Sequence, residues 1–263
     1  MRPETKASLR RLSWWLAPPL LVLGAIVAWL VLDPGFRGGA GTSGEMAQDA
    51  FERRVRDYLL NHPEVIIESV QRLEARRRAA EETEARSVLK SRADDVLRDP
   101  ASPVGGNPQG DVTLVEFFDY NCGYCRQVAP VVDEAEKSDA GLRIVYKEFP
   151  ILGPNSIFAA RAALAAHRQG KYAPLHKALM KVRGNVDEAS VMRVAGELGL
   201  DLARLKADMA DAAIQSAIDR NLELARALRI TGTPGFVVGN QILRGATDVA
   251  TLRKLIDEAR KKP

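Results

Sequence analysis

VTLVEFFDYNCGYCRQVAP, residues 112–130, decides how the rest of the chain is read. Val112 to Phe118 is a short apolar run, which predicts a buried strand. Cys122-Gly123-Tyr124-Cys125 follows, and then a helix to about Lys137 is expected. A strand that delivers a CxxC pair to a helix start has a chemical purpose. Unpaired backbone N–H groups and the helix dipole favour negative charge there. Thiols in such settings ionise at about 3.5–7.5, against about 8.5 for a free cysteine. The thiolate is the attacking species in thiol–disulfide exchange. Cys122 is read as that nucleophile and Cys125, one turn on, as the resolving thiol. Gly123 and Tyr124 shape the helix start and so set the redox poise.

Both cysteines of the chain lie in this tetrapeptide, so none remains for a structural disulfide. The competing reading is half of a zinc site. Zinc takes about four ligands, and the chain offers no second CxxC. Its three histidines are His62, His167 and His176, the last two nine apart and off helical ligand spacing. No metal and no cofactor are therefore assigned. Of the net charge of +4, +3 sits in the first 32 residues, as Arg2, Lys6, Arg10 and Arg11 against Glu4. The remainder is nearly neutral and has no basic patch interleaved with aromatics, which argues against nucleic acid as a partner. A length of 263 residues with 46% hydrophobic content fits one or two domains with a real core and excludes a disordered chain.

Downstream, Leu142 to Phe149 predicts a second strand. Residues 155–229 look helical, with breaks near Gly170, Gly184-Asn185 and Gly199. Ile157, Ala160, Leu164 and His167 share one face, as do Leu222, Leu224, Ala225 and Leu228, and these are read as packing faces. Thr231 to Gly235 is a turn. Phe236–Val238 and Gln241–Leu243 read as a hairpin through Gly239-Asn240. A last amphipathic helix runs from about Val249 to Lys261.

Upstream, residues 14–32 hold no charge, and as a helix they would span roughly 28 Å, close to the ~30 Å hydrocarbon thickness of a bilayer. With the basic flank before them, residues 1–34 read as a membrane anchor with the N-terminus in the cytoplasm. The alternative is a secretory signal cleaved near residues 38–41. Residues 35–45 read as a Gly-rich linker. Residues 46–98 read as a helical arm broken at Asn61-His62-Pro63, with Phe51, Val55, Tyr58 and Leu59 on one face and Ile66, Val70 and Leu73 at heptad spacing. The arm is either a solvated spacer or an oligomerisation region. The Pro- and Gly-rich run at 99–108 marks a boundary, and a domain over 104–263 follows.

FFDYNCGYCRQVAP, a helical insertion and then TGTPGF together resemble the DsbA-like thioredoxin-fold thiol–disulfide oxidoreductases, over roughly Val104 to Ala259. With the arm, the chain is most similar to the suppressor of copper sensitivity protein C group. The resemblance implies an α/β thioredoxin fold with an inserted helical domain at about 155–229, preceded by the anchor or signal helix and the arm. It implies that Pro130 kinks the active-site helix and that Thr233-Pro234 is a cis-proline loop receiving substrate backbone. It implies that Glu116 lies buried beneath the cysteines as a proton relay to Cys125, with Lys147 beside it as a partner. It also implies self-association through residues 46–98. The chain departs from DsbA in carrying Tyr124, where DsbA has histidine. A tyrosine gives the thiolate no charge, which argues against a strongly oxidising pair.

Three functions compete. The first is a periplasmic disulfide isomerase or reductase, kept reduced by a membrane thiol partner and acting on exported proteins with thiols or disulfides. The second is a monomeric dithiol oxidase. The third is a copper-binding or relay protein using the same thiols, since soft thiolates suit Cu(I).

Overall fold

The computed structural model describes residues 42–261, with side chains from residue 47 onward. The apolar span 14–32 and its anchor or signal reading lie outside the described residues. Among the described residues, no helix is long and apolar enough to cross a membrane. The chain divides into two compact units at Glu74/Ala75.

In the first unit, helix α1 runs over Thr42–Asn61 and α2 begins at Glu64. Helix α1 therefore starts inside the stretch expected to be linker. The break between them is local chemistry: the His62 amide closes back on the Tyr58 carbonyl at 2.8 Å, and Pro63 brings no amide of its own. Phe51, Val55, Tyr58, Leu60, Ile66, Ile67, Val70 and Leu73 are all exposed.

The second unit contains the rest of α2, which ends at Ser91, and a short α3 at Ala93–Leu97. A five-stranded mixed sheet follows, in the order β1-β3-β2-β4-β5. Its strands are β1 (Val104–Gly106), β2 (Val112–Phe118), β3 (Leu142–Glu148), β4 (Gly235–Val238) and β5 (Gln241–Arg244). Strands β2 and β3 are parallel and all other pairs antiparallel. Helix α4 (Gly123–Ser138) connects β2 to β3. The insertion between β3 and β4 holds α5 (Pro154–His167), α6 (Tyr172–Leu179), α7 (Glu188–Glu197), α8 (Leu202–Met209) and α9 (Ala212–Ala227). Helix α10 (Val249–Arg260) closes the chain. This is the thioredoxin fold with a helical insertion.

Alternation along β2 splits the core in two. Leu114 and Phe118 join Val128 and Val132 of α4 and Leu252 and Ile256 of α10. Val115 and Phe117 face the other way, onto Leu89, Val96, Leu224 and Leu228. Period-two alternation places Glu116 with the first set.

Three details depart from the sequence reading. Strand β1 falls in the stretch taken as a boundary; three residues with two glycines give no strand signal, and pairing with β3 makes the strand. Helices α8 and α9 are separate because the Asp211 side chain accepts from the Ala213 amide at 2.8 Å, a capping break with no Gly or Pro to announce it. Helix α5 has no single packing face. Ile157 and His167 are exposed, whereas Ala159, Ala160 and Ala162 to Ala166 are buried nearly all round, because alanines let neighbouring helices close in on every side.

Candidate active site

Cys122 is the N-cap of α4, in extended conformation, and Cys125 lies in the first turn. Local geometry builds this start. The Asn121 amide donates to Asp119 Oδ1 at 2.8 Å and the Cys122 amide to the Asp119 carbonyl at 3.0 Å. That is an Asx turn set just before the helix. The Asp119 carboxylate also accepts from Ser156 Oγ at 2.7 Å and from the Ile151 and Leu152 amides at 2.9 and 3.0 Å. One buried carboxylate thus anchors the cysteine loop to the loop after β3.

The two thiols are free and differ in access: Cys122 is 7% exposed and Cys125 not at all. Burial pushes the Cys125 thiol far up, opposed in part by a backbone hydrogen bond at Asp119. Cys122 Sγ donates to the Thr233 carbonyl at 3.3 Å, and the Thr233-Pro234 bond is cis. The loop after α9 therefore lies against the outer sulfur. Tyr124 is 66% exposed and Gly123 has open space around its Cα, so this edge of the helix start faces solvent. Pro130 lies inside α4, where it gives the Arg126 carbonyl no amide.

Glu116 lies beneath this start, 2% exposed. Burial raises its carboxyl to about 8, with the Asp133 charge adding to the effect. Lys147 does not join it. The β2–β3 register sets Glu116 opposite Tyr146, and Phe117 opposite Lys147. Adjacent residues of a strand point to opposite faces, so the lysine lies across the sheet from the carboxyl. There Lys147 Nζ donates to the Asp95 carbonyl at 2.7 Å and to Ser102 Oγ at 2.8 Å, and pairs with Asp99 at 3.4 Å. The expected Glu116–Lys147 pairing is thus replaced by a lysine that ties the α3 end and the following turn onto the sheet.

Several polar contacts carry no motif in the sequence. Asn121 Oδ1 accepts from the Val186 amide at 2.8 Å, and its amide donates to the Val186 carbonyl at 3.2 Å. Arg126 donates to the Tyr120 and Gly184 carbonyls at 2.8 and 2.6 Å. These bonds pin the insertion to the cysteine loop. Glu148 is buried and accepts from the Tyr120 and Tyr172 hydroxyls at 3.0 and 2.8 Å; the Tyr120 hydroxyl also meets His176 Nδ1 at 3.2 Å. Burial lowers His176 to about 3, so its ring is neutral. His176 is thus a core residue, His167 an exposed one, and His62 belongs to the other unit. Only the D-x-N pattern before the cysteines could have announced the Asx turn. Among the described residues, no cluster of three or more potential metal-ligating His, Cys, Asp or Glu side chains occurs.

A strand feeding a CxxC pair into a helix N-terminus, with a cis-proline loop laid against the first sulfur, defines a thioredoxin-fold thiol–disulfide oxidoreductase. The DSBA-like thioredoxin domain family matches residues 113–257, and the copper resistance protein ScsC N-terminal domain family matches residues 48–80. The chain belongs to the DsbA-like thioredoxin family, in its ScsC group. Among solved structures, it is 46% identical to a thioredoxin-like oxidoreductase of Silicibacter pomeroyi DSS-3, covering 65% of this chain and 98% of that one at a TM-score of 0.64. It is 30% identical to the catalytic domain of Proteus mirabilis ScsC, covering 67% and 99% at 0.62. Salmonella enterica Typhimurium BcfH is 27% identical, covering 90% and 99% at 0.70. A curated relative, the Na(+)/H(+) antiporter NhaA 3 of Salinispora tropica, is 30% identical over 158 residues, 59% of this chain. The chain spans about a quarter of that relative's length, 24%.

Proposed function

We propose that the chain exchanges disulfides in exported proteins as a periplasmic isomerase or reductase, through mixed disulfides formed at Cys122 and resolved by Cys125. The observation that carries this reading is the asymmetry of the pair. Cys122 caps the helix against the Thr233 carbonyl, while Cys125 is sealed off and held protonated above a buried carboxyl. Cys122 attacks a substrate disulfide. Cys125 gives its proton to Glu116 and attacks Cys122 Sγ, which releases the substrate thiolate. The Thr233-Pro234 loop receives the substrate backbone, and Gly123 and Tyr124 set the poise.

The isomerase or reductase direction requires a membrane thiol partner that returns the pair to the dithiol. It also gives the arm a role. The match of residues 48–80 to the ScsC N-terminal family and the exposed Phe51, Val55, Ile66, Val70 and Leu73 support self-association through residues 46–98. The expected anchor over residues 14–32 would hold the domain at the inner membrane, and a cleaved signal would release it; either delivers it to the periplasm. Reduced protein is tested by its ability to refold scrambled ribonuclease. Regained nuclease activity is expected, and none would leave the monomeric oxidase reading. A second reading is copper held by the two thiolates, which suit Cu(I); the copper resistance family matched by residues 48–80 covers the arm and not the thiols. Weak Cu(I) binding by the reduced protein would remove it.

A further inference from the structure

We propose that Asp133 and Lys177 are positioning residues for the dithiol reaction, their ion pair standing at the solvent end of the cavity beside Glu116 and controlling how Glu116 trades its proton with water. This deepens the relay role given to Glu116 above and rests on it.

The geometry is as follows. A cavity of about 60 Å³ opens beside Glu116 and is lined by Ala129, Pro130 and Asp133 of α4 and by Lys177 of α6. That volume holds a short chain of waters. Glu116 is 2% exposed at its inner end, whereas the Asp133 and Lys177 side chains are 28% and 34% exposed. Lys177 Nζ lies 3.1 Å from Asp133 Oδ1 and 2.8 Å from Glu136 Oε2. Cys125, Ala129 and Asp133 recur every four residues, so one stripe of α4 leads from the sulfur to the pair.

The other groups facing Glu116 leave this role to the pair. From β4 the facing residue is Phe236, and from β3 it is Tyr146, whose phenol burial keeps protonated. His176 of α6 is neutral. The Arg126 guanidinium is taken up by the Tyr120 and Gly184 carbonyls. Lys181 lines the cavity from an exposed position, and Glu136 reaches the site through Lys177. The Asp133 charge adds to the cost of ionising Glu116, Glu148 of β3 is itself buried and pushed up in part by Glu116, and Lys177 is the cation that pairs with Asp133.

The proton balance is closed. Cys125 S–H passes its proton to the Glu116 carboxylate, and the thiolate so formed attacks Cys122 Sγ in the mixed disulfide. The Cys122–substrate bond breaks and the substrate leaves as a thiolate. Glu116 then releases the proton through cavity water past Asp133. In the reverse direction the leaving Cys125 thiolate is protonated from Glu116. No further oxidant or reductant enters.

The test uses the full chain and two readouts. One is the carboxyl-carbon NMR titration of Glu116; the other is the pH profile of dithiol oxidation by oxidised glutathione. In Asp133→Asn the Glu116 midpoint should fall by about half a pH unit or more, because a nearby negative charge is gone. In Lys177→Met it should rise by a similar amount, because Asp133 loses its counter-charge. A loss of packing alone would not move the two midpoints in opposite directions. Shifts of the same sign, or none, while Glu116→Gln abolishes the titration and alters the rate profile, overturn the role of the pair alone. An unchanged rate profile in Glu116→Gln overturns the relay and the pair together.

Discussion

Replacing Glu116 by Gln should make the protein more resistant to unfolding, and increasingly so as pH rises. The carboxyl is fully buried in the fold and stands at about 8, against 4.5 for an ordinary glutamate. Its folded value lies above its unfolded one, so between those limits the native state holds a proton that the unfolded chain has released. Stability therefore falls as pH climbs from about 4.5, and the full penalty is reached above about 8. Each pH unit inside that window costs about 1.36 kcal/mol. From about pH 5 to about pH 8, wild type should lose roughly 3–4 kcal/mol relative to Glu116→Gln. Any packing cost of the amide enters equally at both pH values and cancels in the difference. Urea unfolding of reduced protein at the two pH values reads it as a divergence of midpoints at constant slope. Parallel stability curves for the two proteins would mean that Glu116 ionises as if in water, and the argument for a buried proton carrier would fail.

Cys125→Ser should let Cys122 attack but not resolve, so mixed disulfides with substrate accumulate and mass spectrometry finds them, whereas Cys122→Ser should lower dithiol turnover by roughly a hundredfold or more. Lys147→Met leaves Asp99, Ser102 and the Asp95 carbonyl without their common donor and should cost about 2–4 kcal/mol in unfolding experiments, with the rate of thiol exchange in the folded protein unchanged within about twofold. Val70→Asp places a charge on the exposed apolar face of α2 and should convert an oligomer to a monomer in sedimentation, with the catalytic unit's melting unaltered.

The sheet's centre was legible because β2 is apolar but for Thr113 and Glu116 and is followed closely by a CxxC at a helix start, two local signals that agree. The hairpin of β4 and β5 was legible through Gly239-Asn240. What escaped was set by long-range pairing. Strand β1 exists because β3 lies beside it, and the break between α8 and α9 because one aspartate folds back on an amide two residues on. The same holds at the site. Cys122 and Cys125 announce themselves by spacing. That Lys147 lies across the sheet from Glu116 depends on a register between strands some thirty residues apart, in which a slip of one residue exchanges the faces. Asp133 and Lys177 come from α4 and from the insertion, and nothing in either segment speaks of the other.

Glu116 and Lys147 are both buried charges on neighbouring strands, and the contrast between them separates structure from chemistry. Lys147 has three oxygen partners and no role near the sulfurs; its burial is compensated, so the turn around it is held in place. Only burial and a like charge act on Glu116, and both oppose its ionisation. Lys147 sits one strand away on the opposite face, and the register that keeps it there also holds the buried residues of β3 in place. With Lys147 paired to it, the carboxylate would stay ionised at every physiological pH and could accept a proton only from a much stronger acid than a thiol. Left uncompensated, it titrates near the pH at which thiols exchange, where a proton carrier is most effective. The stability lost at neutral pH and the proposed transfer of a proton from Cys125 thus share one cause, and a substitution that recovers the first should remove the second.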